Sequence, residues 1–183
     1  MRSLTTAPIA LPAERIDLAA WIARLSEPTY LASAPRHHAM GRFADDDGTR
    51  GLIQVETIAT VLMIHHYRLA IARPDRVYLL SERTRGWLLN LVPHSFTVFS
   101  CLSVHPRSAE TCELRFHIDI AFHHRFFAAL SRVAVFPIAV VRHAQAETEA
   151  FARDIERMFR ASPRPARRAG DARPGPRLVA AQR

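Results

Sequence analysis

Residues 113–160 read ELRFHIDIAFHHRFFAALSRVAVFPIAVVRHAQAETEAFARDIERMFR, and the period of this stretch changes once. Up to Phe122 it alternates: Leu114, Phe116, Ile118, Ile120 and Phe122 fall on one face, and Arg115, His117, Asp119 and Ala121 on the other, which is the pattern of a half-buried strand. After His123 the spacing becomes helical. Phe126, Phe127 and Leu130 begin it and Pro137 kinks or restarts it. From Ile138 the positions Val141, Ala144, Thr148, Phe151, Ile155 and Met158 form one stripe at steps of three and four. Glu149/Arg153 and Glu156/Arg160 sit on the opposite side as i,i+4 pairs. A strand therefore feeds a long amphipathic helix that must cover the apolar face of a sheet.

Upstream, Leu52 to Ala72 lacks Gly, Pro, Asn and Asp and is rich in Ile, Val and Thr, which favours extended chain over the helical stripe Leu52, Val55, Ala59, Leu62, His66, Leu69. At about 3.3 Å per residue the run is too long for a small domain, so a bend or bulge is expected near Ala59-Thr60. Asp47-Gly48 marks a hairpin turn between Phe43 and Leu52, and Pro74-Asp75 marks another. Further strands are expected over 76–83, 87–92 and 95–105, with a turn at 105–110. Before the sheet, Asp17 and Ser26 stand where N-caps belong, each ahead of a short apolar helix, with Pro28 tolerated in the first turn of the second. No basic recognition helix follows, which argues against DNA reading by this pair. Residues 1–12, with two prolines and little charge, read as an extended lead-in to a domain over 13–160.

Composition excludes several classes. The 183 residues are 49% hydrophobic and 23% charged, which suits one globular domain rather than a disordered chain. The longest apolar run, Val133 to Val141, is far short of the roughly 20 residues of a membrane span. All 25 basic residues are arginine, and +5 of the net +8 lies in residues 161–183, an Arg/Pro-rich tail expected to be disordered. Such a tail touches a nucleic acid or anionic surface only through salt-sensitive phosphate contacts, and this interaction role is the alternative to a pocket function. Cys101 and Cys112 form no CxxC pair, so neither a structural zinc nor an iron–sulfur site is expected, and free thiols imply a reducing cytoplasm. Six glycines and no phosphate loop argue against nucleotide binding, and Ser95 and Ser100 lack the setting of a hydrolytic nucleophile.

The order of two short helices, a meandering antiparallel sheet and a long C-terminal helix ending Glu-Thr-Glu-Ala-Phe-Ala-Arg-Asp-Ile-Glu-Arg over 147–157 resembles the helix-grip superfamily of START-like lipid carriers and polyketide cyclases, across roughly residues 50–160. Val55-Glu56, His66-Tyr67 and Phe151 to Arg157 are similar to uncharacterised bacterial START-like proteins. The resemblance implies an α+β fold, a bent antiparallel sheet wrapped around the C-terminal helix, with a hydrophobic pocket for a lipid- or polyketide-like molecule. A Rieske oxygenase, another branch of the superfamily, is excluded because its cluster-binding Cys/His pairs and its two-histidine-and-carboxylate iron motif are missing.

Ten histidines are the unusual feature, with adjacent pairs at 37–38, 65–66 and 123–124. Adjacent strand residues point to opposite faces, so His65 and His66 cannot share a metal from one strand, while His123 and His124 sit at a strand-to-helix junction as exposed or capping residues. His66 has the parity of Glu56 on one strand. His117 and Asp119 lie two apart on one face, within reach of each other, and a His/Asp pair can serve as general base and orienting group for cofactor-free cyclisation or dehydration. Arg115 on the same face can bind a carboxylate or enolate. Tyr67 and Trp87 suit a pocket wall. The expected site is thus His117 and Asp119 for chemistry, with Glu56, His66, Tyr67, Trp87 and Arg115 for the ligand, no metal and no cofactor.

Overall fold

The computed structural model describes residues 1–132 and 135–161. The strands are β1 (Arg2–Ile9), β2 (His37–Ala44), β3 (Arg50–Ile58), β4 (Val61–Arg73), β5 (Arg76–Leu88), β6 (Val92–Pro106) and β7 (Cys112–Phe122), and the helices α1 (Leu18–Arg24), α2 (Glu27–Leu31), α3 (Arg125–Leu130) and α4 (Val135–Ala161). The strands form one antiparallel sheet in the order β1-β7-β6-β5-β4-β3-β2. It bends where its pairings slip, between Ile64 and Arg68 on β4 and between Ser81 and Thr84 on β5, because an extra residue on one strand increases local twist. The concave face so formed receives α4. This is the helix-grip arrangement that the resemblance implied.

The caps form as the sequence predicts. Asp17 Oδ1 accepts from the Ala20 amide at 2.9 Å, and Ser26 Oγ from the Thr29 amide at 3.3 Å. Gly48 turns β2 into β3 with φ of 81°, and the aspartates beside it are tied into the turn: Asp47 accepts from the Thr49 amide at 2.8 Å and Arg68 pairs with Asp45 at 2.9 Å.

Four expectations change. Residues 2–9 are a full strand against β7, with Ser3, Thr5, Ala7 and Ile9 buried, so the lead-in belongs to the domain. The run 52–72 reverses completely at Ala59-Thr60, with Ile58 opposite Val61 and Ala59 at φ of 53°, rather than bending. The strand expected over 87–92 is the end of β5 and a second left-handed turn at Leu89 and Asn90, φ 53° and 59°. On α4 the buried stripe starts at Val140, with Ala144, Thr148, Phe151 and Ile155 beneath it, while Ile138 and Val141 face solvent. Of the expected tail, only Ala161 is described, as the last residue of α4; 162–183 lie outside the described residues.

The core is the concave face plus α1 and α4. Trp21, fully buried, meets Phe151 edge-on with ring centres 5.1 Å apart and donates its indole N–H to Asp154 at 2.9 Å. Burying one such large side chain stabilises the fold by roughly 1.5–3 kcal/mol. At the sheet's edge, Thr5 Oγ donates to Thr148 Oγ at 2.6 Å while Thr148 donates to the Ala144 carbonyl, so β1 and α4 are tied without an unsatisfied hydroxyl.

Candidate functional site

The sheet and α4 enclose a cavity of about 40 Å³. Its walls are apolar along Leu79, Val98, Phe116, Ile118 and Ile120; a polar group of Gln54, Glu56, His65, Tyr67, Ser100, His143 and Glu147 lies midway, and Trp21, Ile22, Leu25, Leu102 and Phe151 close the cavity beyond it. The hairpin at Ala59 explains the polar group. Because Ile58 pairs with Val61, Glu56 stands opposite Met63 and Gln54 opposite His65, so odd-numbered residues of β4 share the face of even-numbered residues of β3. His65 and Tyr67 point inward with Glu56; His66 points outward and stacks on Phe43 at 5.0 Å.

Glu56 is the hub. Its Oε2 lies 2.7 Å from His143 Nε2 and 3.2 Å from His37 Nε2, and its Oε1 lies 2.8 Å from His65 Nε2. Glu147 flanks the group from α4, 3.6 Å from His37 Nε2 and 4.0 Å from His143 Nε2. His37 and His143 bring their Nε2 atoms to 3.0 Å. His37 Nδ1 donates to the Tyr30 carbonyl at 2.7 Å and its ring stacks on that of Tyr30 at 3.9 Å. His65 Nδ1 contacts Thr84 Oγ1 at 3.2 Å, and Thr84 in turn donates to Ser81 at 2.8 Å. Glu56, Glu147, His37 and His65 are all buried. One donor atom each from His37, Glu56, His143 and Glu147 lies within 4.8 Å of the others, a set that could hold a metal ion.

The two carboxyls differ in proton affinity. Burial would raise Glu56, but hydrogen bonds from His143 and His37 and the proximity of His65 outweigh it and hold this carboxyl well below its usual range. Glu147 has no such donors; burial and then the charge of Glu56 push it up to about 8 against the pull of His37. Burial opposes a proton on His37, yet the bond to Glu56 and the charges of Glu147 and Glu56 raise its affinity for one. Burial likewise raises the Tyr67 phenol, which stays protonated and meets the Ser100 hydroxyl at 3.3 Å.

Of the expected site residues, Glu56 and Tyr67 line the cavity and the rest do not. His117, Asp119 and Arg115 lie on the outer face of β7, since Phe116, Ile118 and Ile120 between them face inward. Asp119 accepts from Arg2 Nε at 2.9 Å, Arg115 donates to Glu113 at 2.8 Å, and His117 rests against the Phe99 ring. Trp87 stands opposite Leu62 and Pro93, one residue from the inward-facing Leu88. The pairing of His117 with Asp119 as base and orienter is therefore corrected: both look away from the cavity, because one helix covers one face and the covered face must be the apolar one. His37, His65, His143 and Glu147 were not anticipated. The i,i+4 spacing of His143 and Glu147, beside Val140 and Ala144, is the one local signal that places them on the buried side of α4.

A second, wider opening of about 260 Å³ lies beside the Ile58 and Ile120 end of the cavity. Each wall carries on into it: Ile58 to Ala59, Met63 to Val61, Ile120 to Phe122, and Val140 to Phe136 one turn earlier on α4. The opening thus adjoins the cavity along four elements, with the polar group inside and apolar residues at the mouth.

The sequence matches no family model and no curated protein. Solved structures share the fold. A START superfamily protein from Mycobacterium smegmatis superposes with a TM-score of 0.53 at 14% identity, over 87% of this chain and 97% of its own. The Zhui aromatase/cyclase from a Streptomyces species gives 0.61 at 14% identity, over 88% and 96%. The di-domain aromatase/cyclase StfQ of the steffimycin pathway gives 0.53 at 12% identity, with this chain spanning 46% of that longer one.

Proposed function

We propose, from a fold shared with START and aromatase/cyclase structures, that this chain binds a small hydrophobic or aromatic molecule between its sheet and α4, with one polar end of the ligand at Glu56, Tyr67 and the histidines. The observation that carries this is the cavity and the opening beside it: apolar walls with a small set of convergent polar groups between them, the composition of a small-molecule site. The inner cavity, about 40 Å³, has room for only about three or four waters at roughly 10–15 Å³ each, so a larger guest parts α4 from the sheet near the mouth. Binding is the core of this reading. A cofactor-free cyclase or dehydratase would have to draw on Glu56, Glu147 and the buried histidines, not on His117.

Native mass spectrometry of the purified chain, followed by denaturing extraction, tests it. The expected result is an adduct of one apolar molecule per chain that is lost on denaturation, and that Ile118→Trp, which fills the cavity wall, abolishes in a folded protein. A chain that carries nothing and shows no saturable binding of fatty acids or aromatic polyketides overturns the reading.

A further inference from the structure

The buried cluster contains more acceptors than protons. His37 Nδ1 must carry its hydrogen, because its partner at 2.7 Å is a carbonyl; the neutral ring therefore aims a bare Nε2 at the centre. The hydroxyl hydrogen of Thr84 goes to Ser81, so His65 Nδ1 donates to Thr84 and its Nε2 is bare as well. That Nε2 is buried, points at Glu56 Oε1 from 2.8 Å, and makes no hydrogen bond there. His143 Nε2 faces both His37 Nε2 at 3.0 Å and Glu56 Oε2 at 2.7 Å, and a single proton cannot serve both. Ligand atoms of His37, Glu56, His143 and Glu147 converge on one point, all within 4.8 Å of one another, and with His37 and His65 neutral only His143 and Glu147 bring a proton there.

We propose that His37, Glu56, His143 and Glu147 form a site for one divalent transition-metal ion, of the Zn2+ or Fe2+ type, with His65 beside it, and that a fifth coordination position faces the cavity. The spacing fits. Around a tetrahedral zinc with bonds of about 2.0–2.1 Å, neighbouring ligand atoms stand about 3.3 Å apart. His37 Nε2, His143 Nε2 and Glu56 Oε2 stand 2.7, 3.0 and 3.2 Å apart, and Glu147 brings Oε1 to 3.6 Å from His37 Nε2 and Oε2 to 4.0 Å from His143 Nε2, distances that straddle that value. The Tyr30 carbonyl on His37 is the outer partner that fixes a metal-binding imidazole in the correct tautomer. Two imidazoles with carboxylates select borderline ions over Mg2+ and Ca2+, which prefer all-oxygen sites. Cys101 on the outer face and Cys112 at the far end of β7 supply no thiolate. Glu56, His65, His143 and Glu147 line the cavity while His37 sits behind them, so a ligand in the cavity meets the ion from the open side. Resting on the binding function proposed above, the ligand class narrows to an apolar or aromatic molecule whose polar end is an oxygen donor, such as a carboxylate, phenolate or enolate.

The tag-free full chain, stripped with a chelator, is titrated with ZnCl2 by calorimetry and assayed for metal by mass spectrometry. The expected result is one equivalent per chain, with His143→Ala and Glu56→Gln each weakening affinity by on the order of 100-fold. His66→Ala, on the outer face, leaves it unchanged. Should the variants fail to fold, Co2+ in the unaltered chain decides: an intense visible band of a four- or five-coordinate ion supports the site, and the weak spectrum of hydrated Co2+ overturns it. Absence of saturable uptake, or uptake indifferent to His143→Ala and Glu56→Gln, overturns it too, leaving a cluster neutralised by protons. Metal without any bound organic molecule would remove the proposed function and keep the site; an extracted apolar molecule without metal would do the reverse.

Discussion

Ala59 decides which histidine of the 65–66 pair enters the site. Read as one strand, the run from Leu52 gives Glu56 and His66 the same face; folded at Ala59-Thr60, it gives Glu56 and His65 the same face. The turn was hidden because its left-handed position holds an alanine with φ of 53°, a conformation that costs an L-residue about 1–2 kcal/mol and that sequence reading assigns to glycine or asparagine. Ala59→Gly should relieve that strain and, after the extra entropy of the unfolded glycine, raise stability by about 0.5–1 kcal/mol in a urea melt. A loss of stability would mean that Ala59 does not hold this conformation in solution. Gly48, Asp17 and Ser26 were legible by contrast, because a glycine or a capping oxygen acts on backbone within three residues of itself.

Among the elements, β1 shows how a strand can hide. Its inward residues Ser3, Thr5 and Ala7 are small or polar and only Ile9 is a large hydrophobe, while Leu4 points outward at 61% exposure. The alternation that made β7 plain is inverted here, since inward space at this edge is taken by α4 and only small side chains fit beneath it. The strand is not dispensable. Deleting residues 1–9 would unpair one edge of β7, strip Thr148 of its Thr5 donor and expose the site that Ile9 fills. Ile9 alone is worth roughly 1.5–3 kcal/mol, so a chain beginning at Ala10 should melt well below the full chain or associate through its open β7 edge. Equal melting temperatures and a monomeric chain would show β1 to be a loose appendage. In α4 the same logic works in reverse: a helical stripe predicts its own buried side, but it does not announce that His143 and Glu147 are buried as a functional pair, because that requires Glu56 and His37 from elsewhere in the chain.

At the scale of the molecule, the architecture was readable because order and period are local, whereas the polar cluster was not, because it joins β2, β3, β4 and α4 and exists only once the sheet closes on the helix. The closed cavity poses a further question of entry. Its volume, about 40 Å³, is far below the roughly 300–1,000 Å³ of ordinary ligand pockets, so the ligand must enter where the walls part most easily. The mouth meets that condition. None of the residues of α3 is buried, and Leu89, Leu91, Phe126 and Leu130 leave apolar surface exposed around the opening, whereas β6 and β7 are paired on both sides along their length. Segments with few buried contacts open at low free-energy cost. Hydrogen exchange should therefore run fastest among the ordered helices in α3, orders of magnitude above the centre of β6 and β7, and a bound apolar molecule should slow α3 and the turn at 89–91 more than any other part of the sheet. Ligand protection concentrated instead at α1 and α2 would place the entrance at the opposite end, past Trp21, and the apolar mouth would then need an occupant of its own.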